Sequence, residues 1–327
     1  MDKINRYVQA ATRDNTRRSY QSAITHFEVK WGGFLPATAD SVTRYLIDHA
    51  DTLTLNTLKQ RLAALAQWHL EQGFPDPTKA PLVKKVLKGI NELHPHQEKR
   101  AKPLQLEQLQ RLVSYLELQI QQAMTANDTR QLFKHVRNRA LLLIGFWRGF
   151  RGDELSRLRV EHIELFPGEG MQIYLPRTKT NHTQQGSMYK APALSRLCPV
   201  AAYQDWIHTA LITEGPVFRR IDRWGNIANE TLNPNSLIPL LRHLFHAAKL
   251  PDAELYSSHS LRRGFATWAN AHQWDIKSLM EYVGWKDIKS AMRYIDAADS
   301  YGQQRIEAAL ATPAILDCEN NEQHFIK

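Results

Sequence analysis

The stretch from His94 to Pro103 is polar and basic, carries a proline near each end, and has apolar helical periodicity on both sides. Such a stretch offers nothing to bury and suits an exposed linker. At 327 residues the chain also exceeds the size at which one hydrophobic core comfortably grows. These two observations predict two domains, residues 1–95 and 104–327, joined by a linker at 96–103.

The first region reads as a compact helical bundle. A helix is expected over 15–31, with Asn15 as N-cap and Tyr20, Ile24, Phe27 and Trp31 along one face, ended by Gly32 and Gly33. A second follows Asp40 and buries Val42, Tyr45 and Leu46. A third runs from about Leu55 to Gln72, with Leu58, Leu62, Leu65 and Trp68 inward and Gly73 as stop. After a turn at Pro75-Asp76-Pro77, a fourth spans Pro81 to Leu93, with Val83, Val86, Leu87 and Ile90 opposite Lys84, Lys85 and Lys88.

Beyond the linker, helices are expected at 105–124 and 130–149, the latter apolar from Ala140 to Trp147. The period then changes. Met171 to Leu175 alternates, Pro176 to Gly186 is polar, and Ser187 to Leu194 is extended again, the pattern of a hairpin with a long tip. The remainder reads as helix. The fold class is therefore mainly α in two domains: an N-terminal helical bundle, then an α+β domain with a small antiparallel sheet.

A formal charge of +9 argues for a polyanionic partner, because Lys and Arg gain from displacing counterions condensed on phosphates. Cys198 and Cys318 lack metal-ligand spacing and are expected as inert packing residues in a reducing compartment. His94 and His96 have no cysteine or carboxylate companions, so no metal is expected there. The N-terminus has no apolar signal core, and no run reaches the roughly 18 apolar residues of a membrane span. A cytoplasmic, nucleoid-associated protein is the expectation.

Seven residues carry the chemistry: Arg151, Glu154, Lys179, His259, Arg262, Trp285 and Tyr294. Opening a phosphodiester with a side chain needs a nucleophile, cations on the non-bridging oxygens and an acid for the departing sugar oxygen. Two arginines, a lysine, a histidine and a tyrosine can supply these parts. Each has a plainer reading: Arg151 and Glu154 as a solvated pair, His259 as a satisfied polar group, Trp285 as packing. Their joint order favours the chemistry.

The segment Gly149 to Arg159 resembles the first arginine box of the tyrosine recombinases, the phage integrase family. Arg177-Thr178-Lys179-Thr180 resembles the family's mobile-lysine hairpin, and Ser258 to Gly264 its His-x-x-Arg box. Gly284-Trp285 follows, with Tyr294 at the family's spacing beyond it. Trp at 285 and the Thr-Lys-Thr wording resemble Cre-like members.

The resemblance implies a SAM-like core-binding domain followed by a catalytic domain. It also implies roles. Arg151 and Arg262 hold the scissile phosphate and Tyr294 attacks it to leave a 3′-phosphotyrosyl bond. Lys179 protonates the leaving 5′-oxygen, His259 assists proton transfer, Trp285 hydrogen-bonds phosphate and Glu154 orients the cations, with no metal, ATP or other cofactor. Thr16, Arg17 and Arg18, with Lys59, Gln60 and Arg61, fall on the two helices that cross the major groove. Residues 301–311 correspond to the helix that docks on a neighbouring protomer through Ile306, Ala309 and Leu310. The implied assembly is a homotetramer on two short inverted-repeat duplex sites, exchanging strands through a Holliday junction. A type IB topoisomerase and a non-cleaving DNA-binding relative stay open as alternatives.

Overall fold

The chain separates into two units, residues 1–99 and 100–327. The computed structural model describes residues 14–95, 101–176 and 186–295, together with Tyr7 and Thr12.

In the first unit, α1 (Asp14–Thr25), α2 (Ala39–Asp48), α3 (Leu55–Glu71) and α4 (Pro81–Leu93) enclose a core of Ile24, Phe27, Val42, Tyr45, Leu46, Leu58, Leu65 and Val83. Side chains cap the starts. Thr38 Oγ1 accepts from Ser41 N–H at 3.1 Å, and Thr54 Oγ1 from Thr57 N–H at 3.2 Å. Pro81 opens α4, where a missing N–H costs nothing.

Three details add to or depart from the expected helices. Asp14 rather than Asn15 begins α1, and the helix finishes in a π turn, His26–Lys30. That wider turn carries Phe27 into the core, its ring 5.1 Å from Trp31 and 5.0 Å from Tyr45. Gly33 follows because a Cβ there would stand 2.5 Å from Phe27 Cε1. Trp68 packs against the core from a partly buried position, and the buried stripe 58, 62, 65 continues at 69. His69 is the buried residue, 1% exposed, donating from Nδ1 to Leu65 O (2.7 Å) and accepting Ala37 N–H at Nε2 (2.8 Å). Trp68 stacks on Phe74 at the rim.

In the second unit, α5 (Leu106–Thr125) and α6 (Thr129–Trp147) form a helical hairpin, and Asp128 caps α6 by accepting Gln131 N–H at 3.0 Å. From Ala140 to Phe150 every residue is buried. A short α7 (Gly152–Ser156) leads to β1 (Ile163–Phe166), β2 (Gly170–Leu175) and β3 (Ser187–Pro192), antiparallel in the order β1-β2-β3. Ile173 sits opposite Ile163 on one side and Tyr189 on the other. Met171, Ile173, Leu175, Tyr189 and Ala191 form the buried face.

The chain continues through α8 (Pro199–Thr209), β4 (Arg219–Ile221), β5 (Ile227–Thr231), α9 (Leu237–Ala247), α10 (Ser258–Ala271), α11 (Ile276–Val283) and α12 (Ile288–Ile295). The β4–β5 pair corrects the expectation that everything after 194 is helical. Its strands are short and largely exposed, so no apolar alternation announces them, and its turn closes on Gly225 (φ +96°). Among the described residues the fold thus has two small sheets. Cys198 is also more than packing: its Sγ accepts from Leu194 N–H (3.3 Å) and Ala201 N–H (3.4 Å) at the start of α8. Cys318, His96 and the segment 301–311 lie outside the described residues.

The chain enters this unit against α10. Lys102 N–H donates to Leu255 O (2.9 Å) and Leu104 N–H to Ser260 O (3.0 Å). A Cβ on Gly264 would come within 2.0 Å of Leu104 O, so only glycine permits this approach. Among the described residues no helix is long and apolar enough to cross a membrane.

Candidate active site

The site is built where α6 ends. Gly149, at φ +56°, turns the chain out of the helix and leaves its carbonyl facing α10. Arg151 then occupies the extended N-cap position of α7, and Glu154 the third helical position. The Glu154 carboxylate accepts Arg151 N–H at Oε2 (2.8 Å) and its guanidinium at Oε1 (2.7 Å). Glu154 is 3% exposed, which rules out the plain surface pair.

Arg262 comes from the second turn of α10 and is fully buried. Its Nη1 donates to Gly149 O at 2.7 Å and stands 3.6 Å from Glu154 Oε2. One carboxylate therefore holds two guanidiniums from elements far apart in sequence. Burial keeps that pairing strong, since little water screens it. Trp285 lies 5.0 Å from the Arg262 guanidinium and is buried. It is delivered by Gly284, whose left-handed φ of +76° ends α11, and Gly284 and Trp285 N–H both donate to Met280 O at 2.8 Å.

His259 is exposed on the first turn of α10, its backbone N–H donating to Ser257 Oγ at 3.2 Å. Position 294 belongs to α12, but the Tyr294 side chain and all of Lys179 lie outside the described residues. Arg151, Glu154, Arg262 and Trp285 are thus brought together, with His259 on the helix that carries Arg262.

Two residues here escaped the sequence reading. Arg148 is 2% exposed, donates from Nη1 to Lys190 O (2.8 Å) and from Nη2 to Tyr282 O, and lies 3.9 Å from the Tyr282 ring centroid. Burial pushes its guanidinium below the usual arginine range, opposed by the neighbouring Tyr282, Tyr189 and Glu154. Tyr189 sits beneath Gly284, where an added Cβ would fall 2.9 Å from its Oη. Its phenol is pushed up first by burial and then by the Glu154 charge. The available signal was a lone arginine in the apolar run Ala140–Phe150.

On the first unit, α1 and α3 pack together and share the expected DNA-facing residues. Thr16 and Arg17 are half-buried near the start of α1, with Arg17 paired to Asp14; Arg18 donates to Asn15 Oδ1 at 2.9 Å. Lys59 is exposed on α3. Gln60 Nε2 instead ties the helices, donating to Ser19 Oγ (2.8 Å) and Ser19 O (3.2 Å). Arg61, with Arg18, His26 and Lys30, lines a groove of about 430 Å³. Burial, then the Arg61 charge, lowers the His26 pKa. No group of three or more His, Cys, Asp or Glu suited to a metal occurs among the described residues.

Residues 98–300 match the family model described as the phage integrase family. The chain belongs to that family. As a tyrosine recombinase it is an enzyme of site-specific DNA strand exchange. A relative described as an integrase/recombinase xerD homolog of Selenomonas ruminantium is 27% identical over 309 residues, 91% of this chain and 86% of that one.

Solved recombinases share the fold. A XerH site-specific recombinase bound to palindromic difH aligns with TM-score 0.61 at 16% identity, over 90% of this chain and 78% of that one. The Tn1549 transposon integrase in complex with circular intermediate DNA aligns with TM-score 0.60 at 15% identity, over 94% and 96%.

Proposed function

We propose that this recombinase acts on short inverted-repeat sites in duplex DNA, with Tyr294 as nucleophile. The observation that carries the reading is the pair Arg151 and Arg262 held by the one buried carboxylate of Glu154. Such a clamp suits a tetrahedral phosphate, whose non-bridging oxygens gain charge as a fifth bond forms.

The phenolic oxygen of Tyr294 attacks phosphorus, and its proton leaves with the help of His259. The P–O5′ bond breaks, the phosphate remains on tyrosine as a 3′-phosphotyrosyl diester, and O5′ takes a proton from Lys179. Arg151 and Arg262 hold the non-bridging oxygens, and the Trp285 indole N–H adds a donor. Attack by the 5′-hydroxyl of a second strand reverses every bond change, so the atom and energy balance needs no other reactant.

Thr16, Arg17, Lys59, Gln60 and Arg61 form the DNA face of the first unit, the core-binding domain, and the second unit is the catalytic domain. The +9 charge supports that partner. Segment 301–311 docks on the next protomer, giving a tetramer on two sites that passes through a Holliday junction. The working compartment is the cytoplasm, at the nucleoid.

The test selects a duplex from a random-sequence pool with the full-length protein, then offers that duplex nicked, followed by denaturing electrophoresis and mass spectrometry. The expected adduct lies on Tyr294 and is absent in Tyr294→Phe. Tight selection without an adduct makes the chain a non-cleaving DNA-binding protein. An adduct that relaxes supercoils but yields no recombinant product makes it a type IB topoisomerase.

A further inference from the structure

We infer that Arg148 is a positioning residue for cleavage: it fastens β3, the return strand of the β2–β3 hairpin, to the helix that delivers Trp285, and thereby holds the strand that follows the Lys179 segment in a set relation to the two-arginine clamp. The inference rests on Lys179 as proton donor to O5′.

Arg148 closes α6 three residues before Arg151. One arm of its fork reaches β3 at Lys190 O (2.8 Å), and the other reaches α11 at Tyr282 O. Its guanidinium lies 3.9 Å from the Tyr282 ring centroid, 5.2 Å from that of Tyr189 and 5.8 Å from that of Phe150. Three elements thus meet on one cation. β3 follows the Lys179 segment in sequence, and Lys190 is in register with Gln172 of β2, so fixing Lys190 fixes both legs of the hairpin. α11 ends at Gly284 and Trp285, beside Arg262.

Stability is a poor reason for this arrangement. A buried cation pays desolvation that an apolar side chain of similar volume avoids, and such replacements are often neutral or stabilising. What an apolar residue lacks is a planar fork with separated donors that can hold two carbonyls of different elements at a set spacing. A donor displaced by about 1 Å can cost roughly 10²-fold in rate, so that spacing bears directly on protonation of O5′.

The experiment compares the wild type, Arg148→Met, Arg148→Lys and Lys179→Ala on the selected nicked duplex, with either the ordinary 5′-oxygen or a bridging 5′-sulfur at the scissile phosphate. A thiol, with pKa about 8.5, leaves as thiolate without a proton donor. Arg148→Met should lose about 10²-fold on oxygen with DNA binding unchanged, and recover most of that on sulfur, as should Lys179→Ala. Arg148→Lys, which keeps the charge, should fall between and covers the case in which the Met variant does not fold. In the free protein, amide exchange at 188–191 and at 280–285 should quicken together in either variant.

Equal loss on both substrates makes Arg148 merely structural and overturns the inference. Quickened exchange in one segment only, or in neither, overturns the fastening. Rescue of Arg148→Met without rescue of Lys179→Ala moves the donor role elsewhere and overturns the inference as stated. A wild type that cleaves neither substrate sinks the recombinase mechanism itself, and this inference with it.

Discussion

The two units bury different things. The first closes on aliphatic and aromatic side chains, with Thr43 and His69 as its buried polar residues among those described; the second buries Arg148, Glu154 and Arg262 within a few residues of each other's elements. Apolar burial is worth roughly 25 cal/mol per Å² and needs no special geometry, whereas ions taken out of water gain little net stability even when paired. An interior of the first kind is explained by folding alone. The second kind marks a place where chemistry decides the residues, and it coincides with the turn that carries the arginine box.

Removing Glu154 should have the largest effect, because it leaves two guanidiniums without their shared carboxylate. Glu154→Ala is expected to cost about 3–5 kcal/mol in urea unfolding and to abolish the tyrosyl adduct. Glu154→Gln, which can still accept Arg151 N–H, should cost less. A stability change under about 0.5 kcal/mol for the alanine variant would place the carboxylate with ordinary surface residues and erase the contrast. In the first unit, Leu46→Ala removes only apolar contact from a fully buried position and should cost about 3 kcal/mol. Hydrogen exchange should report that loss in peptides from 39 to 71. An equal loosening across 140–160 would mean that the two interiors are not separate in energy.

The same contrast explains what could be read in advance. Apolar periodicity, capped by Thr54 or opened by Pro81, reveals α3 and α4 because each helix buries one continuous stripe. It does not reveal the π turn at His26, whose residue pattern suits an ordinary helix as well. At the site, the motif order nominated Arg151, Glu154, Arg262 and Trp285. The contact from Arg262 to Gly149 O depends on how α10 crosses the end of α6, which no local pattern encodes. Arg148 and Tyr189 belong to no motif and work through backbone carbonyls and ring faces; a lone arginine in an apolar run hints at the first, and the partners of both emerge only in the folded chain. The β4–β5 pair was missed because strands with exposed faces carry no alternation.

His69 is the nearest thing in the first unit to the buried ions of the second, and replacing it measures how much one buried polar residue contributes. His69→Ala should cost about 2 kcal/mol, leaving Ala37 N–H and Leu65 O without their imidazole partner. His69→Leu keeps the volume and should recover part of the packing while leaving the same backbone groups unmet. If the leucine variant matches wild type in urea midpoint, the hydrogen bonds contribute nothing measurable, and the first interior is as indifferent to polarity as its composition suggests.

An exposed carboxylate completes the series at its weak end. Glu161 accepts Gly215 N–H at Oε2 (2.9 Å) and Arg159 Nε at Oε1 (2.5 Å), fastening the approach to β1 onto the turn before β4. Its own backbone N–H, then Arg159 and Gly215, hold its pKa at about 2, below the ordinary 4.5. A carboxylate with a depressed folded-state pKa contributes stability above its unfolded value and loses it as pH falls through the folded one. The advantage of wild type over Glu161→Gln should therefore be constant from pH 7 to about 5 and shrink between 4.5 and 2. Because solvent screens the group, the plateau should be only about 0.5 kcal/mol, far below that of Glu154. Urea midpoints of both proteins across that range decide it: a difference that widens below pH 4.5 reverses the sign and breaks the assignment.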